Sequence, residues 1–211
     1  MFHIGIQMWN EPFIEKDETG SDFAILLMDT QGNFDSATTT GQNATIFAFS
    51  SLLSSVVILN TMKNVSEDVL QYLQLFASYA LIATGNAGET DPQNFQSLVF
   101  LLRDFDFDDY EYGYYDDETV PPNQEKNFKK ENLDSKENQP EETKLTHEFI
   151  TRSYQNVGVY AMPHPGKKFT RAKEPKAELL DEDFVEHLQE FVWRMLTKKK
   201  IFKTVAGQKV S

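Results

Sequence analysis

The 211-residue chain contains no cysteine, which excludes disulfide frameworks and thiolate metal centres and fits a reducing compartment. Histidine is scarce: the four residues stand at His3, His147, His164 and His187. No two lie at ligand spacing, so a histidine-based metal site is not expected. Long hydrophobic runs are lacking too. The longest, Leu52 to Leu59, is interrupted by Ser54 and Ser55, far short of the roughly 20 residues that span a bilayer. The first residues carry Glu11, Glu15 and Asp17 in place of a basic segment leading into an apolar one, so no signal peptide is read. A soluble chain is expected. Positive charge is in short supply, with 20 Lys and Arg against 33 Asp and Glu, a net charge of -13. Phosphate backbones repel such a surface, which argues against nucleic-acid partners. The excess is uneven: Asp104 to Glu118 holds eight carboxylates, at positions 104, 106, 108, 109, 111, 116, 117 and 118, and no Lys or Arg. A solvated surface loop accounts for that stretch more simply than a basic partner does.

Apolar residues make up 40% and aromatics 13%, enough for one sizeable core. The run Phe23 to Met28 (FAILLM) is continuous and apolar, as in a strand buried on both faces of a parallel sheet. Thr40 to Leu53 places Ala44, Phe47, Ala48 and Leu52 at helical spacing, and Val56 to Leu59 suits a second strand. Ser66 is a plausible N-cap for a helix with Glu67 and Asp68 in its first turn and an apolar stripe from Val69 to Ala80. A Gly-rich break at Gly85 to Gly88 precedes a third strand, Phe95 to Leu102. Residues 104–142 read as a long surface excursion with a short helix around Phe128. Thr143 to Tyr154 reads as helix, Val157 to Met162 as a fourth strand, and Asp181 to Leu196 as an amphipathic helix. The alternation of strands and helices predicts an α/β domain with a mostly parallel sheet. Ligands of such sheets sit at the carboxyl ends of the strands.

Three strand ends carry suggestive chemistry. Asp29-Thr30-Gln31-Gly32 combines a carboxylate able to hold Mg²⁺ through water with a glycine whose N–H can approach a terminal phosphate. Taken alone, this pattern is explained as well by a strand-to-helix turn with a capping Asp. Arg103-Asp104 offers a carboxylate able to accept both the ring N–H and the exocyclic amine of guanine; a local ion pair is the plainer alternative. Pro163-His164-Pro165-Gly166 fixes an unusual backbone path of the kind a base-capping loop requires. The lysines at 198–200, with Lys203, could meet anionic lipid, but complement the dipole of their own helix more simply. Trp9 and Trp193 are taken as core or interface aromatics.

Together these segments resemble the atlastin/guanylate-binding-protein group of large dynamin-like GTPases, and the atlastins more than the interferon-inducible members. The resemblance rests on Gly5-Ile6-Gln7-Met8-Trp9, M-D-T-Q-G-N-F-D-S at 28–36, Leu70 to Phe76 (LQYLQLF), F-L-L-R-D-F at 100–105, Tyr110-Glu111-Tyr112 and Pro163 to Gly166. It implies a P-loop-NTPase-like G domain, with GTP or GDP as ligand and Mg²⁺ as cofactor. Asp29 would be the Mg²⁺-side acid, with Thr30 and Gln31 beside it, and Gly32 the γ-phosphate sensor of the second switch. Arg103 and Asp104 would recognise guanine, and the Pro163 to Phe169 loop would cap the base, with backbone near Phe169 in contact. Family members hydrolyse GTP, dimerise through their G domains and fuse endoplasmic-reticulum tubules, working on the cytosolic face of that membrane.

The departures are as specific. A phosphate-gripping G-x-x-x-x-G-K-[ST] run is required of a P-loop. The sequence holds one testable Gly-Lys pair, Gly166-Lys167, and it fails: Ala161 stands five residues earlier and Lys168 follows. Ile4 stands where the first switch would place Thr. Residues 1–200 are therefore expected to be a partial G domain whose first strand and P-loop are absent, from an incomplete gene model or a truncated product. Residues 201–211 would begin the linker to an absent helical middle domain, and membrane contact would come only through absent segments. Nucleotide hydrolysis should be weak. A non-catalytic, degenerate G domain pairing with a complete relative is the alternative to a GTPase.

Overall fold

The computed structural model describes residues 5–17, 19–31, 39–83, 95–198, 202–205 and 208–209. At its centre is a four-stranded sheet, in the spatial order β5 (Val56–Met62), β6 (Phe95–Arg103), β8 (Tyr154–Ala161), β7 (Gly113–Tyr115). The first three strands run parallel, and β7 is added antiparallel to β8. Strand β6 is apolar without alternation because both its faces are covered. Leu98, Phe100 and Leu102 join a core with Ala44, Phe47, Leu70, Phe76 and Ile150 from helices α1 (Thr40–Leu53), α2 (Glu67–Ala83) and α4 (Glu141–Ser153). Val99, on the opposite face, packs with Tyr114, Tyr160, Met162 and Phe191 of α6 (Glu182–Trp193). The domain is thus mixed α/β, with a mostly parallel sheet between helical layers.

Local chemistry sets the helix starts. Thr39 opens α1 with a capping box: its hydroxyl accepts from Gln42 N–H at 3.3 Å while Thr39 N–H donates to Gln42 Oε1 at 3.0 Å, satisfying two donors the helix leaves free. Ser66 Oγ accepts weakly from Val69 N–H at 3.5 Å, and Glu67 and Asp68 complement the start of α2.

The N-terminal expectation needs correction. The FAILLM run is not one buried strand of the central sheet. It divides into β3 (Asp22–Ile25), paired antiparallel with β2 (Phe13–Lys16), and β4 (Met28–Thr30), paired antiparallel with β1 (Ile6–Met8). Leu26 and Leu27 between them are 55% and 43% exposed. These hairpin pairs form sheets of their own, and β4 packs against α1 without strand pairing to β5. Among the described residues β5 is therefore an edge strand, with Ile58 and Met62 exposed. Trp9 and Trp193 are likewise not core residues; both are more than half exposed.

The acidic excursion is better built than a solvated loop. Phe105, Tyr114, Tyr115 and Phe128 are buried, and Phe105, Phe107, Tyr110 and Phe128 stack edge-on or tilted at centroid distances of 5.0 to 6.4 Å. The short helix α3 (Phe128–Asn132) carries Lys129, whose ammonium is buried and bonds Asp117 and, at 2.9 Å, Asp134. Burial pushes this lysine's pKa down, but the bonds to the two carboxylates outweigh it, and the net shift is upward. The carboxylates thus face outward over an aromatic plug that adds β7 to the sheet. Past a π-helical turn at Arg194–Lys198, Phe202 to Thr204 returns to the sheet: Gln96 Nε2 donates to Phe202 O at 2.7 Å and Thr204 N–H to Gln96 Oε1 at 3.0 Å. Lys203 Nζ reaches Ser54 O at 3.1 Å. The Gly-rich break at 85–88 and Lys199 and Lys200 lie outside the described residues.

Candidate functional site

The parallel strands end level with one another. Met62 of β5 is in register with Arg103 of β6, and Leu102 with Ala161 of β8. Three backbone bonds continue past the ladder. Lys63 N–H donates to Arg103 O at 2.7 Å, Met162 N–H to Leu102 O at 2.9 Å, and Phe105 N–H to Met162 O at 3.0 Å. Arg103-Asp104 and the segment after Met162 are therefore neighbours at the carboxyl rim, as the strand order requires.

Asp104 turns the chain there with φ 52°, a left-handed conformation that Asp tolerates better than most residues. It is fixed from both sides, by the β6 ladder and by Phe105, which is 1% exposed in the aromatic plug. Arg103 is exposed and Asp104 half-exposed, and neither makes an ion pair among the described residues. The local Arg103–Asp104 ion pair that could have explained this dipeptide does not form.

Pro163 and Gly166 are buried, His164 is exposed and Pro165 half-buried. The imidazole folds back: His164 Nδ1 accepts from Gly166 N–H at 2.9 Å, so it holds the loop's own backbone. Gly166 has φ 102°, open to glycine and strained for other residues. Its carbonyl accepts from Thr170 N–H at 3.1 Å and opens the one-turn helix α5 (Lys167–Thr170), where Phe169 is half-buried. Lys63, Arg103, Lys167 and Lys168 are exposed cations around this rim, on a chain of net charge -13.

The other predicted group belongs to a different sheet. Asp29 is exposed, Thr30 and Gln31 are half-buried, and Gly32 lies outside the described residues. Asp29 and Thr30 belong to β4, opposite Gln7 and Ile6 of β1, and Gln31 N–H donates to Gly5 O at 3.1 Å. Gln31 Oε1 is buried and has no hydrogen-bond partner among the described residues. No cluster of three or more metal-ligating side chains occurs among the described residues. A single exposed carboxylate such as Asp29 could hold Mg²⁺ only through water, with other oxygens completing its shell.

The sequence signals missed two residues that the structure brings to the rim. Lys63, at φ 66°, follows β5, where periodicity marks only the strand. Asp181, preceding α6, reads from sequence as an ordinary helix start, yet its N–H donates to Pro165 O at 3.1 Å.

Beyond this geometry, the family model "Guanylate-binding protein, N-terminal domain" matches residues 3–204 of the chain. The chain belongs to this family. Among curated relatives, Atlastin-2 of Homo sapiens is 38% identical over 210 residues, covering 98% of this chain and 34% of its own length. Atlastin-1 of Mus musculus is 36% identical over 210 residues, covering 98% of this chain and 36% of its own. Atlastin-2 of Xenopus laevis is 36% identical over 98% of this chain and 35% of its own. The chain thus spans about a third of the length of the curated relatives it matches. No helix among its described residues is long and apolar enough to cross a membrane.

Proposed function

We propose that the carboxyl rim of β6 and β8 binds the base of GTP or GDP, as the guanine-reading part of a GTPase G domain. The observation that carries the reading is the carboxylate of Asp104, without an ion pair among the described residues and set at a strand end beside the 163–169 loop. Guanine presents a ring N–H and an exocyclic amine that one carboxylate accepts together, and adenine presents no such pair. Arg103 supplies charge at the same rim, and Pro163, His164, Pro165, Gly166 and Phe169 form the cover over the base. Asp29, Thr30, Gln31 and Gly32 are assigned to the phosphate side, where Asp29 would hold Mg²⁺ through water. The ion, when bound, neutralises charge on the β- and γ-phosphates. Among the described residues β5 is an edge strand and β4 does not pair with it, which supports a G domain with a further strand between them. The backbone cradle and Lys that supply most of the phosphate grip are not encoded in these residues, so hydrolysis by them alone is proposed to be weak. Dimerisation through this domain and endoplasmic-reticulum membrane fusion are proposed for the longer protein.

Calorimetric titration of the chain with GDP and ADP tests the reading. The expected result is weak binding with GDP preferred, the preference disappearing in Asp104→Ala. Equal affinity for the two nucleotides, or no GDP binding by a chain that unfolds cooperatively, would refute it.

A further inference from the structure

Gly166 is buried and left-handed, and the space on its side-chain side is taken. A Cβ placed there would lie 2.5 Å from Asp181 Cγ and 2.6 and 2.7 Å from its two carboxylate oxygens. The carboxylate lies flat against the Gly166 backbone, closer than any residue with a side chain would permit.

Asp181 occupies the N-cap position of α6, and Val185 N–H donates to its carbonyl at 3.1 Å. An Asp in this position ordinarily turns its side chain onto the free N–H groups of its own first turn. Here it makes no such bond, and no ion pair among the described residues. The side chain that should cap α6 lies instead on the neighbouring loop, while the Asp181 N–H donates to Pro165 O at 3.1 Å. Backbone and side chain of one residue thus hold two successive loop residues. From inside the loop, His164 Nδ1 takes the Gly166 N–H and Gly166 O takes the Thr170 N–H. The backbone from Pro165 to Thr170 is fixed on both sides, from within the loop and by Asp181 at the start of α6.

We propose that Asp181 is a positioning residue for the 163–170 loop: packed against Gly166, it holds the backbone path that sets α5 and Phe169 over the base. The proposal rests on the guanine reading for its functional meaning, though not for its mechanics. It makes Gly166 and Asp181 a matched pair. It also ties the pose of the loop to α6, which packs under the opposite face of the sheet through Phe191.

Amide exchange by nuclear magnetic resonance on the 211-residue chain, without nucleotide, tests the mechanics. Asp181→Ala should speed exchange at Thr170 by about tenfold while β8 amides such as Val159 keep their protection, since a local lock is lost and the global fold is not. Asp181→Asn, of the same shape, should retain the wild-type rate. Unchanged exchange at Thr170 in Asp181→Ala, β8 amides accelerating in step with it, or Asp181→Asn behaving like Ala would each overturn the proposal. In the second arm, Asp181→Ala should weaken GDP by about fivefold through lost preorganisation and leave competition by inorganic triphosphate unchanged. An altered loop with unaltered GDP affinity also overturns it. If the wild-type chain binds no GDP, the guanine reading fails on its own, and the exchange data still decide whether Asp181 holds the loop.

Discussion

Phe105→Ala removes the anchor immediately beyond the base-reading carboxylate. The ring is 1% exposed and lies 5.0 Å from Phe107, 5.2 Å from Phe128 and 6.4 Å from Tyr112, centroid to centroid. At ~25 cal/mol per Å², the roughly 150–200 Å² of a buried phenylalanine gives an upper figure of about 4–5 kcal/mol. Part of that is retained by the alanine methyl, and a cavity among rigid rings adds to the loss, so about 4 kcal/mol is expected, inside the range for buried Phe→Ala. For a domain of this size Tm falls by about 2–4 °C per kcal/mol, so the drop should be roughly 8–16 °C. Urea unfolding followed by circular dichroism measures the free energy, and amide exchange locates it. Phe105→Leu, which keeps most of the volume, should cost under about 1.5 kcal/mol. A loss below about 1.5 kcal/mol for the alanine variant would refute the reasoning. So would faster exchange confined to residues 104–118 with an unchanged midpoint, because the plug would then be an independent unit and could not hold Asp104 to the sheet.

Gly158→Ala in β8 would drive a methyl into the Tyr114 phenol, whose Cζ would lie 2.7 Å away. That ring is also stacked under the Arg194 guanidinium at 4.7 Å. A cost of about 1–3 kcal/mol is expected, partly recovered in the double variant with Tyr114→Val; a neutral Gly158→Ala would contradict the packing. Alkaline conditions should unfold the chain early. Burial pushes the phenols of Tyr115, Tyr154 and Tyr160 well above their usual value, and Lys129 is also raised. A group raised in the folded state gives stability that is complete below its unfolded pKa and is lost as pH rises through the folded one. The urea midpoint should therefore hold below about pH 10 and fall above it. A midpoint flat to pH ~11.5 would refute the assignment, and Tyr115→Phe should lessen the fall.

Much of the central sheet was legible because its signals agree. The FQSLVFLL run is apolar without alternation, and β6 is covered by helices on both faces. The FAILLM run has the same composition and was misread for a physical reason. A continuous apolar run reports that burial is demanded, not which strand supplies it. In the described residues β4 finds only β1, and Leu26 and Leu27 stay exposed. The stretch 104–118 defeats a composition count because its eight carboxylates outnumber its aromatics. Only the fold shows the rings turned in and the charges out. At the site, Asp104 and the 163–166 loop were readable as strand ends, and the β6–β8 register makes them neighbours. The Asp181–Gly166 contact was not readable: it depends on how α6 docks, and an Asp before a helix already has a sufficient local explanation.

The two parts of the proposed site rest on different foundations, and this sets the expected binding signature. The base side is built on β6 and β8, which are hydrogen-bonded to each other and buried on both faces. The phosphate-side residues Asp29 to Gln31 belong to a hairpin sheet that meets the rest of the described structure through α1. Affinity for a nucleotide comes largely from its phosphates, whereas discrimination between guanine and adenine is a difference between two affinities. Phosphate contacts common to GDP and ADP cancel from that difference. What remains is whether Asp104 meets two donors or none, a matter the hairpins do not enter. A weak overall affinity with an intact preference for guanine is therefore the signature of this architecture. Tight binding without preference would instead place the nucleotide on the rim cations Lys63, Lys167 and Lys168.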